Sequence, residues 1–277
     1  MFRTALCVAL LAAIAPAPAR AETVVCTEIL SLPATLTSQG VYCLKKDVST
    51  AVASGAAITI AANNITLDCN GYKVGGLAGG PETQATGILA LARLNATVRS
   101  CNVRGFRDGI RLEGAGHVVE SNRVEASTAR GIVAVGDGSI VRGNLLFDIG
   151  LSADSPVGIA VSDGDVDVLD NLVSGVGGAG AFQPTGLRLE ALEAGTIARN
   201  RIRRVISGQD TAIGIHVASD TARVSLRDND LAGHLEGIGV ICHGGPVLLA
   251  GNHAIGFTAG FEDCPAGAGN LASNAAP

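Results

Sequence analysis

Apolar and polar residues alternate in short runs along most of the chain. The segments "GIRLE", "GIVAV", "GLRLE" and "GIHVA" each place apolar residues at every second position. Such alternation is typical of β-strands with one buried face. The segments "VRSCNV" and "IARNRI" show the same pattern, and no segment between them has a helical period or a capping box. The pattern therefore predicts an all-β protein.

Two landmarks recur in a fixed order along the alternating segments. The first is an Asn, at Asn70, Asn102, Asn122, Asn144, Asn171, Asn200, Asn229 and Asn252. The second is a Gly followed by an apolar residue, at Gly87-Ile88, Gly109-Ile110, Gly131-Ile132, Gly158-Ile159, Gly186-Leu187, Gly214-Ile215, Gly237-Ile238 and Gly260-Phe261. Repeats of this length predict a solenoid, in which each unit buries its apolar side chains against its neighbours.

The repeat favours one kind of solenoid. Leucine-rich repeats need Leu at fixed spacing, and a left-handed β-helix needs a stricter hexapeptide period. The prediction is therefore a single-stranded right-handed parallel β-helix of about eight coils, with an Asn ladder. Its domain spans residues 58–268, after a capping segment at 22–57 and before a tail at 269–277. We expect each Asn to form a left-handed corner whose amide stacks on the next coil, and each Ile to point inward.

The chain begins with a segment typical of a secretory signal peptide. "MFRTALCVALLAAIAPAPARA" has a basic residue, a short apolar run and an Ala-x-Ala site, which predicts cleavage after Ala21. Six cysteines follow, and an even number in an exported chain favours disulfides. Cys69 and Cys101 lie one coil apart and should pair. We expect the remaining disulfides, Cys26–Cys43 and Cys242–Cys264, near the two ends.

Composition narrows the function. The net charge of −5 argues against nucleic acid as a partner, and no segment after the signal is long and apolar enough to span a membrane. The chain has no Trp, two Tyr and 37 Gly, so the core must be narrow and filled by aliphatic side chains. A secreted or periplasmic location is expected, and the oligomeric state stays open.

The repeats resemble a known superfamily. The segments "ITLDCNGYKV" and "ATVRSCNVRGF", with the Asn and Gly-Ile recurrence, resemble the right-handed β-helix proteins of the pectate-lyase-like superfamily over about residues 40–270. The resemblance implies the fold and a polysaccharide as partner. The superfamily includes lyases, hydrolases, epimerases, adhesins and non-catalytic binding proteins, so it does not assign an activity. The Trp-Ile-Asp-His block of pectate lyases and the Asn-Thr-Asp, Asp-Asp and Gly-His-Gly set of polygalacturonases do not occur in this sequence.

Loop lengths indicate where a site would be built. The distance from Asn to the following Gly is 17 residues in the first coil and varies between 7 and 15 in the other seven, whereas the distance from Gly to the next Asn is nearly constant. The long loops are predicted at Gly71–Thr86, Phe147–Val157, Ser174–Thr185 and Val205–Ile213. Long loops on a rigid scaffold commonly carry function, and the resemblance implies that polysaccharide lies beside them.

The strand after these loops supplies the candidate catalytic residues. Its first outward row is predicted as Arg111, Val133, Ala160, Arg188, His216, Gly239 and Glu262, and its second as Glu113, Val135, Ser162, Glu190, Ala218 and Ile241. Arg188, Glu190 and His216 should therefore meet beside the long loops. Arg188 would engage a sugar carboxylate and His216 would accept a proton. The alternative is a solvated Arg–Glu pair with an incidental His.

Other charged residues are candidates for binding. Arg111, Arg201, Arg203 and Asp210 are predicted to contact substrate, and Arg201 and Arg203 should share one strand face. They are equally well explained as solvated edge residues. Asp163, Asp165 and Asp167 alternate along one strand and are a candidate calcium site, although an exposed acidic turn explains them too.

Two functions therefore stay open. The first is a carbohydrate-active enzyme, in particular a polysaccharide lyase that uses His216 as base, with Arg188 or calcium neutralising a uronate. The second is a non-catalytic surface or periplasmic solenoid with a structural or glycan-binding role. A groove walled by loops would favour the enzyme, and a flat face would favour the structural protein.

Overall fold

The chain forms a three-sided right-handed parallel β-helix. In this computed structural model the described residues are 25–150, 155–178, 180–208, 210–218, 223–233, 236–267 and 269–274. The predicted signal peptide, residues 1–21, lies outside them. No helix among the described residues is long and apolar enough to cross a membrane. The fold predicted from the repeat is confirmed.

Each coil runs through three sides in a fixed order. Side 1 contains β2 (Ala34–Leu36), β5 (Ala56–Ile60), β8 (Thr86–Leu94), β11 (Asp108–Ala115), β14 (Arg130–Val135), the first half of β17 (Val157–Leu169), the first half of β19 (Thr185–Ala198), β21 (Ile213–Ala218), β24 (Ile238–His243) and β27 (Ala259–Glu262). Side 2 contains β1 (Thr27–Glu28), β3 (Gly40–Cys43), β6 (Ile65–Asp68), β9 (Thr97–Arg99), β12 (Val118–Glu120), β15 (Ser139–Arg142), the second halves of β17 and β19, β22 (Arg223–Arg227) and β25 (Leu248–Ala250). Side 3 contains β4 (Val48–Ser49), β7 (Lys73–Gly75), β10 (Asn102–Arg104), β13 (Arg123–Glu125), β16 (Leu145–Ile149), β18 (Leu172–Gly178), β20 (Arg201–Ser207), β23 (Asp230–Ala232), β26 (His253–Phe257) and β28 (Leu271–Asn274).

All strand pairs are parallel and join equivalent strands of successive coils. Sides 1 and 2 form one 18-stranded sheet, because β17 and β19 continue from one side to the other, and side 3 is a ten-stranded sheet. The stacking extends past the predicted boundaries at both ends. Within the predicted capping segment, β1, β2 and β4 pair with β3, β5 and β7, and β28 in the predicted tail pairs with β26.

The core is a narrow column of aliphatic side chains. The residue that follows the landmark Gly is fully buried in the first six coils, as the alternation predicts; examples are Ile110, Ile132 and Leu187. Ile238 and Phe261, in the last two pairs, are partly buried. The Gly itself is required by space, because sides 3 and 1 converge at this point. A Cβ on Gly131 would lie 2.4 Å from Leu146 Cδ2 and 2.5 Å from the carbonyl oxygen of Gly158. The glycine column therefore lets successive coils close tightly.

The corner between sides 2 and 3 contains the Asn ladder. Seven side chains take part: Asn122, Asn144, Asn171, Asn200, Asn229, Asn252 and Asn270. The Asn200 amide is a representative rung. Its Nδ2 donates to Val168 O at 2.8 Å and to Asn229 Oδ1 at 3.0 Å, while its Oδ1 accepts from the backbone and side-chain N–H groups of Asn171. Buried amide groups are therefore satisfied from coil to coil.

The ladder differs from the prediction at its start. Asn70 is an exposed corner residue that donates to Leu44 O, and Asn102 is the first residue of β10. Cys101 occupies the ladder register in that coil, since its N–H donates to Asn122 Oδ1 at 3.0 Å. The left-handed backbone conformation, predicted for the ladder Asn, is found at the residue before the ladder position. Asp170 and Arg199, which precede ladder residues, have φ of 57° and 54°.

Three disulfides join neighbouring coils. They are the predicted pairs Cys26–Cys43, Cys69–Cys101 and Cys242–Cys264. The Cα atoms of Cys69 and Cys101 are 4.6 Å apart, close to the separation of neighbouring strands. Structural disulfides are typical of proteins in an oxidising compartment.

Candidate functional site

Side 1 carries two outward rows of residues in strict register. The first row is Arg111, Val133, Ala160, Arg188, His216, Ile241 and Glu262, and the second is Glu113, Val135, Ser162, Glu190, Ala218 and His243. Arg188 and His216 are therefore neighbours, as the alternation predicts. The predicted positions of Gly239 and Ile241 are wrong by two residues, because Gly239-Val240 and not Gly237-Ile238 aligns with Gly214-Ile215. The shift brings His243 into the second row.

A buried carboxylate gathers three arginines on this side. Asp108, the first residue of β11, is 2% exposed. Arg130 binds it with two hydrogen bonds, Nε to Oδ1 at 2.9 Å and Nη2 to Oδ2 at 2.8 Å. Arg107 and Arg111 each approach Oδ2 to 3.5 Å. Because arginine stays charged and a buried carboxylate needs a partner, this cluster fixes the guanidinium groups in place.

Arg107 and Arg130 of the arginine cluster line an open groove of about 460 Å³. The short connections 105–107 and 126–129 and the longer connection 76–85 contribute to its lining, together with Ser155. The groove is lined by Pro81, Glu82, Thr83, Gln84, Arg107, Thr128, Ala129, Arg130, Ser155, Val157, Ala160, Arg188 and Glu190. Described residues from two of the four predicted long loops therefore line the groove.

The far end of the groove holds the predicted pair Arg188 and Glu190. Arg188 Nε lies 2.5 Å from Glu190 Oε1, and both side chains are partly exposed. His216 stands on the next coil, beside Arg188, and outside the groove lining. Its Nε2 lies 3.1 Å from Nδ1 of His243. Burial, the charge of Arg188 and the neighbouring His243 lower the pKa of His216 to about 4, so its ring is neutral at neutral pH.

Several predicted binding residues lie elsewhere. Arg201 and Arg203 share one face of β20, as predicted, but β20 belongs to side 3. Arg203 pairs there with Asp230 at 3.1 Å. Asp210 lies between β20 and β21, where its backbone N–H donates to Ser207 Oγ. The structure therefore does not bring these three residues to the groove, whereas Arg111 belongs to the arginine cluster.

The candidate calcium ligands do not converge. Asp163 has φ of 58° at a turn and accepts a hydrogen bond from Ser162, whereas Asp167 accepts from the backbone N–H of Thr196 at 2.7 Å. Asp165 lies on side 2, away from side 1. Within the described parts of the chain, no group of three or more His, Cys, Asp or Glu side chains is arranged to hold a metal ion. The described residues therefore lend no support to a calcium site at these aspartates, and that site stays a prediction.

Sequence reasoning missed Asp108, Arg107, Arg130 and His243. Asp108 and Arg130 stand at the same register in neighbouring coils, two residues before the inward Ile110 and Ile132. In a strand, a residue two positions before an inward residue also points inward. Alternation therefore assigns Asp108 and Arg130 to the core and gives no reason to expect them at a groove. The informative signal was a pair of opposite charges at one position of consecutive repeats, in "RDGI" and "ARGI".

Residues 86–254 match the family described as the right handed beta helix region. No curated protein matches the chain. Among solved structures, DFA-IIIase from Arthrobacter chlorophenolicus A6 in complex with GF2 is 12% identical over 84% of this chain and 62% of its own, with a TM-score of 0.53. PfbA, a surface adhesin of Streptococcus pneumoniae, is 9% identical over 79% of this chain and 60% of its own, with a TM-score of 0.52. The chain thus spans about three fifths of each structure's length, and the similarity is one of fold.

Proposed function

Because the chain belongs to the right-handed β-helix family, we propose that it is an exported protein that binds a polysaccharide carrying anionic groups in the groove on side 1. The coils form a rigid scaffold, and the groove lies where the connections between sides 3 and 1 vary in length. The single observation that carries the proposal is the convergence of Arg107, Arg111 and Arg130 on Asp108 at this groove.

The arginine cluster supports an anionic ligand. Three arginines share the carboxylates of Asp108 and Glu113, which leaves one positive charge in excess within the cluster, while Arg188 and Glu190 balance each other and Glu82 adds one negative charge to the groove lining. The side chains of Arg107, Arg111 and Arg130 are 27–38% exposed, and N–H groups that do not bind a carboxylate are available to a ligand. Arginine binds carboxylate and sulfate oxygens with paired, charge-assisted hydrogen bonds.

Binding assays with matched variants test this proposal. We expect the protein to bind a uronate or sulfated polysaccharide more tightly than a neutral glucan of the same length, with affinity that falls as salt rises. Arg107→Ala should weaken binding about 5- to 10-fold, because one charge-assisted contact is worth roughly 1–1.5 kcal/mol. Arg203→Ala removes an equally exposed arginine from side 3 and should leave affinity unchanged. Equal binding of the neutral glucan, or equal losses in both variants, would contradict the proposal.

A second candidate function is cleavage of the bound chain by β-elimination. The observation that favours it is the neutral ring of His216 beside Arg188. His216 would take the proton α to the sugar carboxylate while Arg188 holds that carboxylate, and the electron pair would form the double bond as the glycosidic oxygen leaves.

Ultraviolet absorbance of unsaturated products tests the elimination. His216→Ala should abolish product formation, whereas His253→Ala, on side 3, should not. Since the proton acceptor must be neutral, the rate should be half-maximal near pH 4 and constant above about pH 5. Elimination that survives the loss of His216 would remove this role from the residue while leaving the binding proposal intact.

A further inference from the structure

Two histidines form an isolated pair on side 1, beyond the groove. His216 on β21 and His243 on β24 belong to neighbouring coils and point outward from the same face. Their rings meet edge to face, with centroids 5.0 Å apart and planes at 86°. The nitrogens Nε2 of His216 and Nδ1 of His243 lie 3.1 Å apart. The binding groove does not include either residue, so the pair needs its own explanation.

The separation of the two nitrogens suits a shared metal ion. Imidazole nitrogens bind zinc at about 2.0–2.1 Å, and two of them at the tetrahedral angle are roughly 3.3–3.4 Å apart. The observed 3.1 Å is within a few tenths of an ångström of that value. Rotation of the two rings by a few tens of degrees, so that both nitrogen lone pairs face one point, would convert the direct hydrogen bond into a two-nitrogen chelate. The rigid stacking of β21 on β24 keeps both ligands available.

Local charge opposes a cation at this position only in part. The charge of Arg188 acts against a positive charge at His216, and Glu190, 2.5 Å from Arg188, offsets some of that effect. His243 is exposed, and His216 is only partly buried, so water can complete the coordination. The described residues bring no third protein ligand into place. The site would therefore use two protein nitrogens and several waters.

We propose that His216 and His243 form a divalent transition-metal site that binds Zn²⁺ or Cu²⁺. Nitrogen donors favour these ions over Ca²⁺ and Mg²⁺, which prefer oxygen. With two protein ligands instead of four, the dissociation constant should be roughly 1–100 µM, since a structural zinc site with four ligands is worth about twice the free energy. A metal ion bound to His216 would occupy the ring that acts as the base in the elimination. The ion would therefore inhibit any such activity.

Calorimetric titration of the purified protein with zinc, and separately with calcium, tests the site. We expect one equivalent of zinc to bind and no calcium to compete. His216→Asn and His243→Asn should each weaken zinc binding at least tenfold, because each leaves a single nitrogen. His253→Asn, which removes an exposed histidine from side 3, should bind zinc as the unaltered protein does.

Electron paramagnetic resonance of the copper complex gives an independent readout. Coupling to two imidazole nitrogens is expected in the unaltered protein and to one in either single variant. Circular dichroism of the metal-free variants checks that they fold. The proposal is overturned if zinc binds all four proteins equally, if His253→Asn alone loses binding, or if the copper spectrum shows no second nitrogen. Anionic polysaccharide binding is measured in the same preparations, so failure of this site can be told apart from failure of the groove.

Discussion

Two corners of the same coil are built in opposite ways. The corner between sides 2 and 3 repeats with little change: its ladder amides are buried from Asn122 to Asn252 and hydrogen-bonded as far as Asn270. The corner between sides 3 and 1 varies from the single residue Thr258 to the ten residues 76–85, and it carries the groove. One corner fixes the stacking of the coils. The other can therefore vary its loops without disturbing that register, and polar groups for binding are found there.

The largest expected effect is at the uniform corner. Asn200→Ala removes four side-chain hydrogen bonds, two from Asn171, one to Val168 O and one to Asn229 Oδ1, which keeps only the backbone N–H of residue 200 as a donor. We expect a loss of about 3–5 kcal/mol in the free energy of unfolding, measured by urea denaturation. Asn102→Ala is the matched control, since Asn102 lies outside the ladder and its Oδ1 has no partner in the described structure. Its cost should stay below about 1 kcal/mol, and equal losses would contradict the ladder register.

The glycine column of the variable corner gives the next largest effect. Gly131→Ala would force a Cβ to within 2.5 Å of the Gly158 carbonyl oxygen, so we expect a loss of about 2–4 kcal/mol. Gly178→Ala is the control because its Cβ would meet nothing within 4 Å. It should be neutral or stabilise by about 0.5 kcal/mol. Thermal unfolding of both variants tests whether tight closure at Gly131 is needed despite the variable loops.

The third corner, between sides 1 and 2, adds a titratable group to the comparison. His117 is fully buried there and burial lowers its pKa, so the unfolded chain takes up a proton at higher pH than the folded one. Stability should therefore be complete above about pH 6.5 and fall below it, by up to about 1.4 kcal/mol per pH unit for each such histidine. Urea midpoints between pH 7.5 and 5.5 measure the slope. His117→Asn should flatten it, and His253→Asn should not.

The smallest effect concerns the turn residue of the uniform corner. Ser121 precedes the ladder residue Asn122 and has φ of 55°, whereas the next coil has Gly143 at φ of 62° in the same position. Ser121→Gly should stabilise the protein by about 0.5–1 kcal/mol, because glycine adopts this conformation without steric cost. Ser121→Ala should give no gain. If Ser121→Ala stabilised the protein, the Ser121 side chain, and not the backbone conformation, would limit the stability of this turn.

The sequence predicts the coils well because their landmarks follow from local chemistry. Inward Ile and landmark Gly recur for reasons of packing that act in every coil, and the cysteine pairs follow from adjacent coils. Errors arise where the register shifts by one or two residues, because the residue types alone do not show the shift. Asn102 stands one position after the ladder, and "GIGV" offers two candidate glycines of which only Gly239 meets the tight space beside Gly260.

The site is harder to predict because it depends on contacts across coils. Alternation correctly places Arg188 beside His216, since both lie within regular strands. It cannot show that residues of the loop at 76–85 and Ser155 line the same groove. Nor does it show that Asp108, at an inward position, turns toward three arginines at the corner. Loop lengths predict which edge of the molecule carries the groove. Which residues meet there depends on how the coils stack.

The direction of the Asn ladder has a consequence for cooperativity. From Asn122 to Asn252, each Nδ2 donates to the Asn Oδ1 of the next coil toward the C-terminus, and from Asn144 to Asn270 each Oδ1 accepts from the preceding coil. The amide dipoles are therefore aligned head to tail, and each polarises the next, which strengthens a hydrogen-bonded chain beyond the sum of its members. A central rung thus supports bonds on both sides, whereas a terminal rung supports one. Two central substitutions should not be additive, because the first already divides the dipole chain.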